Sequence, residues 1–186
     1  MAVGYKNNAI VPKGGNILIN VNMSTALTIP AITSSNTIQL GSITSSDVNQ
    51  TANKEVFRNE TGKVEVSSFE YDNVTTAVLM QTDKDLIDYL GDTVKGNNIL
   101  EIKYLGYRAT KHVWHFRIGN VTPQYSVQSP GGTASMNYEH TGIDLATAVT
   151  ITATDLASIA SVLSLSNFPT TAVTISVSKD FEVVEV

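Results

Sequence analysis

Residues 54–96 read KEVFRNETGKVEVSSFEYDNVTTAVLMQTDKDLIDYLGDTVKG, and the fold turns on how this stretch is taken. Its opening is polar. From Val64 to Gln81 it is rich in β-branched and aromatic residues and has neither proline nor glycine, a composition that fits a pleated, half-buried surface. In a strand, Val74, Thr76, Val78 and Met80 share one face, and Thr75, Ala77, Leu79 and Gln81 share the other. Both faces are mixed in polarity, whereas an antiparallel sheet more often shows one apolar and one polar face. Asp72-Asn73 fits a tight turn that would make a hairpin, and equally the middle of one long strand.

The second half of the stretch reads as a helix over 83–90. Thr82 suits the N-cap, and Asp85 stands at capping-box spacing, with a shorter reach than Glu or Gln. Asp83 and Asp85 sit in the first turn, where the helix dipole favours negative charge. Leu86, Ile87, Tyr89 and Leu90 form an apolar stripe, with Leu86 and Leu90 as core anchors. Gly91 fits the left-handed position past the end.

Working outward, 186 residues suit one domain, or one domain with an extended arm. At this size roughly 70% of the unfolded surface becomes buried, so no covalent staple is required. There is no cysteine, hence neither a disulfide framework nor a thiolate metal site. The net charge of −5 argues against a surface built to hold phosphates. Scarce charge and abundant Thr, Ser, Val, Ile and Asn indicate an all-β bias with a polar, uncharged surface. The N-terminus lacks the apolar core of a secretory signal, and no apolar run approaches the ~18 residues of a membrane span. The chain is therefore expected to fold in a cytoplasm.

Residues 1–16 carry the breakers Asn7-Asn8, Pro12 and Gly14-Gly15. Residues 16–23 alternate as a strand. Residues 26–32 are an edge strand at best, because of Pro30, and 37–43 form a weak strand. Ser45 to Gly62 reads as a polar arm ending in the turn Asn59-Glu60-Thr61-Gly62. A coreless segment longer than ~12–15 residues is usually functional or disordered. Residues 99–107 and 111–118 alternate and read as a hairpin about Arg108-Ala109-Thr110. His112, Trp114, Phe116 and Ile118 share one face of it, with Trp114 and Phe116 as core anchors. Residues 123–132 read as a loop, and 134–141 and 146–153 as strands. Leu156, Ile159, Ala160 and Leu163 fit a second short helix capped by Thr154, although a β reading is nearly as good. Residues 172–186 read as a terminal strand. No internal repeat is visible.

Catalytic patterns are missing their companions. His112 and His115 would face opposite ways on a strand, and His140 stands alone; His112 reads as a core-edge histidine with a backbone partner. Ser176 and Lys179 have the S-x-x-K spacing, but they lie in an alternating segment and lack the S-D-N and K-T-G partners. Gly14-Gly15 and Gly131-Gly132 lack the Lys-Ser/Thr of a phosphate loop. Asp83, Asp85 and Asp88 lack the calcium-loop pattern. The N-x-S/T triplets at Asn59, Asn73 and Asn120 have no signal peptide to give them meaning. The chain reads as a non-enzyme without a cofactor or metal.

The order of parts is informative. A polar arm bears E-V-F-R-N-E-T-G; a strand ends V-L-M-Q-T-D; a short D-L-I-D-Y-L helix and a hairpin follow. This layout, over residues 45–118, resembles the major tail tube proteins of long-tailed bacteriophages. The resemblance implies one tail-tube-like domain over 1–186: a mainly β sandwich or half-barrel with one short flanking helix near 83–90 and a long polar arm at 45–65. Subunits would form rings, probable stoichiometry six, whose sheets join into a ring-shaped barrel, and stacked rings would make the tail tube of the virion, assembled in the bacterial host cytoplasm. The arm residues Lys54, Glu55, Val56, Phe57, Arg58, Asn59 and Glu60 would reach the neighbouring ring. Partners would be further copies of the chain, the tape-measure protein, and tail-tip and tail-terminator proteins, with no membrane. DNA would cross the lumen during ejection without specific binding. Glu65, Glu70 and Asp72 are lumen candidates, since like charge denies phosphates the gain of counterion release. Residues 1–44 and 144–168 do not map onto that layout. Competing readings are a capsid decoration or tail-fibre protein, and a β-sandwich carbohydrate-binding module, which would want exposed aromatics where only Trp114 is offered as Trp.

Overall fold

The structure, a computed structural model, describes residues 17–24, 26–41, 43–58, 60–62, 64–79, 97–126 and 135–186, together with Ile10, Asp88 and Tyr89. The elements are β1 (Leu18–Asn22), β2 (Thr37–Leu40), β3 (Ile43–Arg58), β4 (Val64–Leu79), β5 (Ile99–Arg108), β6 (Lys111–Ser126), β7 (Ser135–Gly142), β8 (Val149–Ile151), α1 (Ala153–Val162), β9 (Val173–Ile175) and β10 (Phe181–Glu185). The large sheet runs β2-β1-β5-β6-β7-β4-β3, with β10 also on β6, and β8 and β9 form a second small sheet. Every ladder is antiparallel.

Period-2 alternation gives the large sheet two buried faces. On one face Ile19 and Val21 of β1, Ile102 of β5 and Trp114, Phe116 and Ile118 of β6 pack against Leu156 and Ile159 of α1, Phe168, and Val173 and Ile175 of β9. On the other, Leu18, Leu40, Leu79, Ile99, Val121 and Met136, drawn from six strands, meet one another. A sheet packs against itself only if it curls. The chain path requires that curl: β2 and β3 stand at opposite ends of the strand order, yet only two residues separate Leu40 from Ile43. At 3.8 Å per step their Cα atoms are at most about 11 Å apart. No ladder joins β2 to β3 among the described residues. The result is a half-barrel layered against a helix and a small sheet.

β6 is the pivot. Val113–Arg117 carry β10 on the side away from β5, and from Gly119 onward β7 takes that place. The changeover is built on the facing pair Gly119 and Gly142. A Cβ on Gly119 would lie 2.0 Å from the carbonyl oxygen of Thr141, whereas one on Gly142 would meet nothing closer than Arg117 Cδ at 3.1 Å.

Several expectations need correction. The polar arm is a strand: β3 pairs with β4 from Ile43 to Arg58. Solvated edge strands keep polar side chains, because their order comes from the backbone ladder. Of the two readings left open for Asp72-Asn73, the long strand is the one observed, with the pair opposite Thr51 and Gln50. Residues 26–32 form no strand; Ser24 and Thr28 close a local turn through their backbones and hydroxyls. The expected loop at 123–132 begins later, since β6 continues to Ser126 with Pro123 opposite Tyr138. The terminal strand is two, β9 and β10, separated by a turn in which Asp180 adopts φ 57°. The helix at 83–90 lies outside the described residues except for Asp88 and Tyr89; Tyr89 is buried in the interior cluster. The second candidate segment is helical, but Thr152 caps it: Asp155 N–H donates to Thr152 Oγ1 at 3.1 Å and Thr152 N–H donates to Asp155 Oδ2 at 3.0 Å, a capping box of the T-x-x-D type.

Gly119→Ala should therefore destabilise far more than Gly142→Ala. Urea unfolding followed by circular dichroism is expected to show a loss of about 3 kcal/mol or more for the first, and a distinctly smaller loss for the second, where Arg117 Cδ and Asn73 Cβ lie at 3.1 and 3.2 Å and need give way only slightly.

Candidate functional site: open edges, an acidic face and a buried polar network

The most unusual feature is what β3 and β4 do beyond the sheet. Val74–Leu79 of β4 pair with β7 on one side and β3 on the other. Val64–Asn73 pair with β3 alone among the described residues. At about 3.3 Å per residue this two-stranded ribbon runs about 30 Å past the sheet. Such a ribbon is marginal in water without a third strand or a packing partner. The predicted arm residues lie at its far end: Lys54 opposite Phe69, Glu55 opposite Ser68, Val56 opposite Val66, Phe57 opposite Glu65 and Arg58 opposite Val64, with a register irregularity between Glu55 and Val56. Glu60 is exposed in the connecting turn, where Gly62 takes φ +75°; Asn59 lies outside the described residues. Among the described residues, β3 at one end of the sheet and β2 at the other each pair with one neighbouring strand, which makes them the edge strands of the sheet.

The outward side of β3, β4, β7 and the second half of β6 is solvated. Register places Asp47, Thr76, Glu139 and Thr122 in one row across it, and Asn49, Val74, Thr141 and Asn120 in the next. Asp47, Asp72 and Glu139 are exposed there, and no Lys or Arg stands in these rows. Of the predicted lumen residues, Asp72 belongs to this face; Glu65 and Glu70 are in β4 opposite Phe57 and Asn53. Sequence reasoning overlooked Asp47 and Glu139. Their signal is the alternation Asp47-Asn49-Thr51 and Asn137-Glu139-Thr141, each set of polar residues two apart. A shallow hollow of about 240 Å³ on this face is lined by Ser45, Thr76, Asn137 and Glu139, among others.

The inward side holds a cluster the sequence did not reveal. Glu101 was expected only as one position of an alternating strand, yet it is fully buried, with Asn20 and Arg117 beside it in register. Thr75 Oγ1 donates to Glu101 Oε1 at 2.6 Å and Tyr138 Oη donates to Oε2 at 2.7 Å. Arg117 Nη2 lies 3.4 Å from Oε1, and also reaches Thr75 Oγ1 at 2.5 Å and the carbonyl of His140 at 3.0 Å. His140 Nε2 is 3.1 Å from the Ile99 carbonyl, and its Nδ1 is 3.2 Å from Arg117 Nη2. A carbonyl only accepts and a guanidinium only donates, so this ring is neutral with its proton on Nε2. The side chains come from β1, β4, β5, β6 and β7.

Burial raises the Glu101 pKa, but the adjacent His140 ring, the Arg117 guanidinium and the hydrogen bonds from Thr75 and Tyr138 outweigh it and hold the carboxyl below its ordinary range. Burial lowers His140, and takes His115 down to about 4. Burial likewise raises Tyr138 well above the usual phenol range. Arg117 Nε and Nη1 and Asn20 Nδ2 have no hydrogen-bond partner among the described residues.

Trp114 and Phe116 are buried in the core against Phe168, and Trp114 Nε1 donates to the Asn167 carbonyl at 2.9 Å, so this ring is not offered to a sugar. Leu86 and Leu90 lie outside the described residues. His112 shares a 3.0 Å hydrogen bond between its Nδ1 and the Tyr104 hydroxyl, a side-chain partner in place of the backbone one expected. His115 faces the other way and stacks on Phe181. Ser176 and Lys179 lie in the turn before β10, not in a strand: Ser176 Oγ is 3.3 Å from Ser178 Oγ, and Lys179 pairs with Glu182.

No protein-family model matches the sequence, and no curated protein sequence matches it. Among solved structures, the chain is similar in shape to a chain in the virion of a native gene transfer agent particle, with 9% identity, 69% of this chain and 92% of that chain covered, and a TM-score of 0.45. It is likewise similar to a chain in the tail of an empty gene transfer agent particle with C6 symmetry, with 12% identity, the same coverage of 69% and 92%, and a TM-score of 0.41.

Removing one partner of a buried ion pair strands the other charge, at a cost of about 3–5 kcal/mol. Glu101→Leu and Arg117→Met should each destabilise by about that much in chemical denaturation. The double variant is expected to recover most of the loss, because two apolar groups leave no uncompensated charge.

Proposed function

We propose that this chain is a structural subunit of a phage-type tail, joining through its open sheet edges into rings that stack as the tail tube. The observation that carries this reading is the ribbon of β3 and β4. Roughly 30 Å of two-stranded sheet with no third strand among the described residues is a poor element for an isolated protein and a good one for a subunit that completes its sheet, or its packing, on a neighbour. The open edges of β2 and β3 suit ring closure in the same way, since backbone pairing between copies removes the edges. The tail-tube resemblance of residues 45–118 points the same way. On this reading the rings have six subunits, the ribbon contacts the next ring, and the partners are further copies, the tape-measure protein, and tail-tip and tail-terminator proteins in the virion tail.

The channel wall in this proposal is the outward face bearing Asp47, Asp72 and Glu139. A polar wall without cations gives passing DNA no counterion-release gain. This moves the emphasis from Glu65 and Glu70 to Asp47 and Glu139.

The test is electron microscopy and light scattering of the purified protein, alone and with a preformed tail-tip complex. Tubes or stacked rings with a central hole are expected. Replacing Ala52–Tyr71 by Asn-Gly, which would close the hairpin between the paired residues Thr51 and Asp72, should leave the thermal transition in place and abolish stacking. Tubes that still form from this variant would refute the role given to the ribbon. Substituting lysine at Asp47, Asp72 and Glu139 together should yield tubes that retain short DNA in a sedimentation assay, where wild-type tubes retain none.

A further inference from the structure

The buried cluster inside the curl is unused by the assembly reading and does not depend on it. Its geometry is that of a brace. Tyr138 on β7 donates to Asn20 on β1 at 3.0 Å or to Glu101 on β5 at 2.7 Å. Thr75 on β4 donates to Glu101, and His140 on β7 donates to the Ile99 backbone on β5. β1 and β5 pair with neither β4 nor β7 in the sheet. These bonds therefore cross the interior, and they exist only while the sheet is curled. We propose that Arg117, Glu101 and the neutral, Nε2-protonated ring of His140 form an acid-released lock on that curl, holding β4 and β7 over β1 and β5.

The release step follows from atom positions. A proton arriving at His140 Nδ1 removes the lone pair that accepts from Arg117 Nη2 and sets two cations 3.2 Å apart. Glu101 Oε2 is 3.8 Å from the same nitrogen and its charge favours the protonated ring, but burial, together with the Arg117 charge, outweighs it. Glu101 from β5 and Arg117 from β6 act on the ring, and the ring acts in turn on His115 of β6; the buried Lys103 of β5 interacts with Glu101, Arg117 and, from β3, Asp47, and Tyr138 of β7 is bonded to Glu101. Among the described residues, β1 and β4 bring the uncharged Asn20 and Thr75 to the cluster. Two lysine and arginine charges stand against one carboxylate inside, so further positive charge has little to neutralise it.

Both histidines are held below their ordinary range, so their unfolded forms take up protons first. Their stabilisation is complete above about pH 6.5 and fades as the pH falls, for His115 until about 4. Glu101 is also depressed, so its contribution holds above the ordinary carboxyl range and fades only in stronger acid. Loss of the curl should thus begin in the histidine range, before the carboxylates titrate.

The test uses the full chain labelled with ¹⁵N-histidine, followed by NMR from neutral pH to about pH 4, with near-ultraviolet circular dichroism in parallel. At neutral pH His140 should be the Nε2–H tautomer, and its titration should coincide with loss of tertiary signal. His115→Gln/His140→Gln should keep that signal to a pH lower by about one unit, while His112→Gln should not shift it. An imidazolium or Nδ1–H His140 at neutral pH would overturn the lock, as would acid onset identical in wild type and double variant. If the double variant fails to fold, the tautomer and the wild-type titration still decide.

Discussion

An ionised carboxylate with no exposure must have its oxygens satisfied by the protein, and Glu101 meets that demand only in a curled sheet. Its in-register neighbours on β1 and β6 supply Asn20 and Arg117. Thr75 and Tyr138 come from β4 and β7, strands that do not pair with β5. A flat sheet would leave the carboxylate short of these donors, at a cost of several kcal/mol. Apolar collapse alone would not specify this curvature, because the interior aliphatic groups could meet in several ways. A buried ion pair is weak evidence of net stability; here its geometric demand is what selects one curl among alternatives.

The curl brings the ends of the sheet together without joining them. The two-residue link between Leu40 and Ile43 keeps β2 and β3 close, yet no ladder forms between them among the described residues. Edge strands left open are templates for pairing, and proteins blunt them with polar and charged side chains. β3 is long and carries Asp47, Lys54, Glu55 and Arg58, while β2 is short. A charge pattern of this kind works against indiscriminate pairing, and in the proposed assembly it would leave pairing to a partner of matching register.

The parts of this arrangement that were legible in the sequence are those where one face of a strand is uniformly apolar. Trp114, Phe116 and Ile118 announced the hairpin and its inner face, and Asn59 to Gly62 announced the turn. β3 was illegible because a solvated edge strand and a polar loop have the same composition. Glu101, Arg117 and His140 were illegible for the opposite reason: alternation marks a second face without saying whether water or a curled sheet covers it. The T-x-x-D pattern at Thr152 was present, but Thr154 drew attention because it stands closer to the apolar stripe. The candidate site suffered most, since Asp47 and Glu139 acquire meaning only when register puts them in one row.

β4 links the two ends of the argument. Thr75, inside the brace, is two residues from Asn73, where the ribbon leaves the sheet. A β-strand in a hydrogen-bonded ladder keeps its direction and twist over such a distance. The direction in which the ribbon departs is therefore inherited from the curl, and the curl from the partners Glu101 requires. In the proposed assembly, a subunit that meets its neighbours at a fixed angle would need its projecting element tied to its most constrained interior point. Placing Thr75 and Asn73 on the same side of one continuous strand provides that tie through the backbone itself.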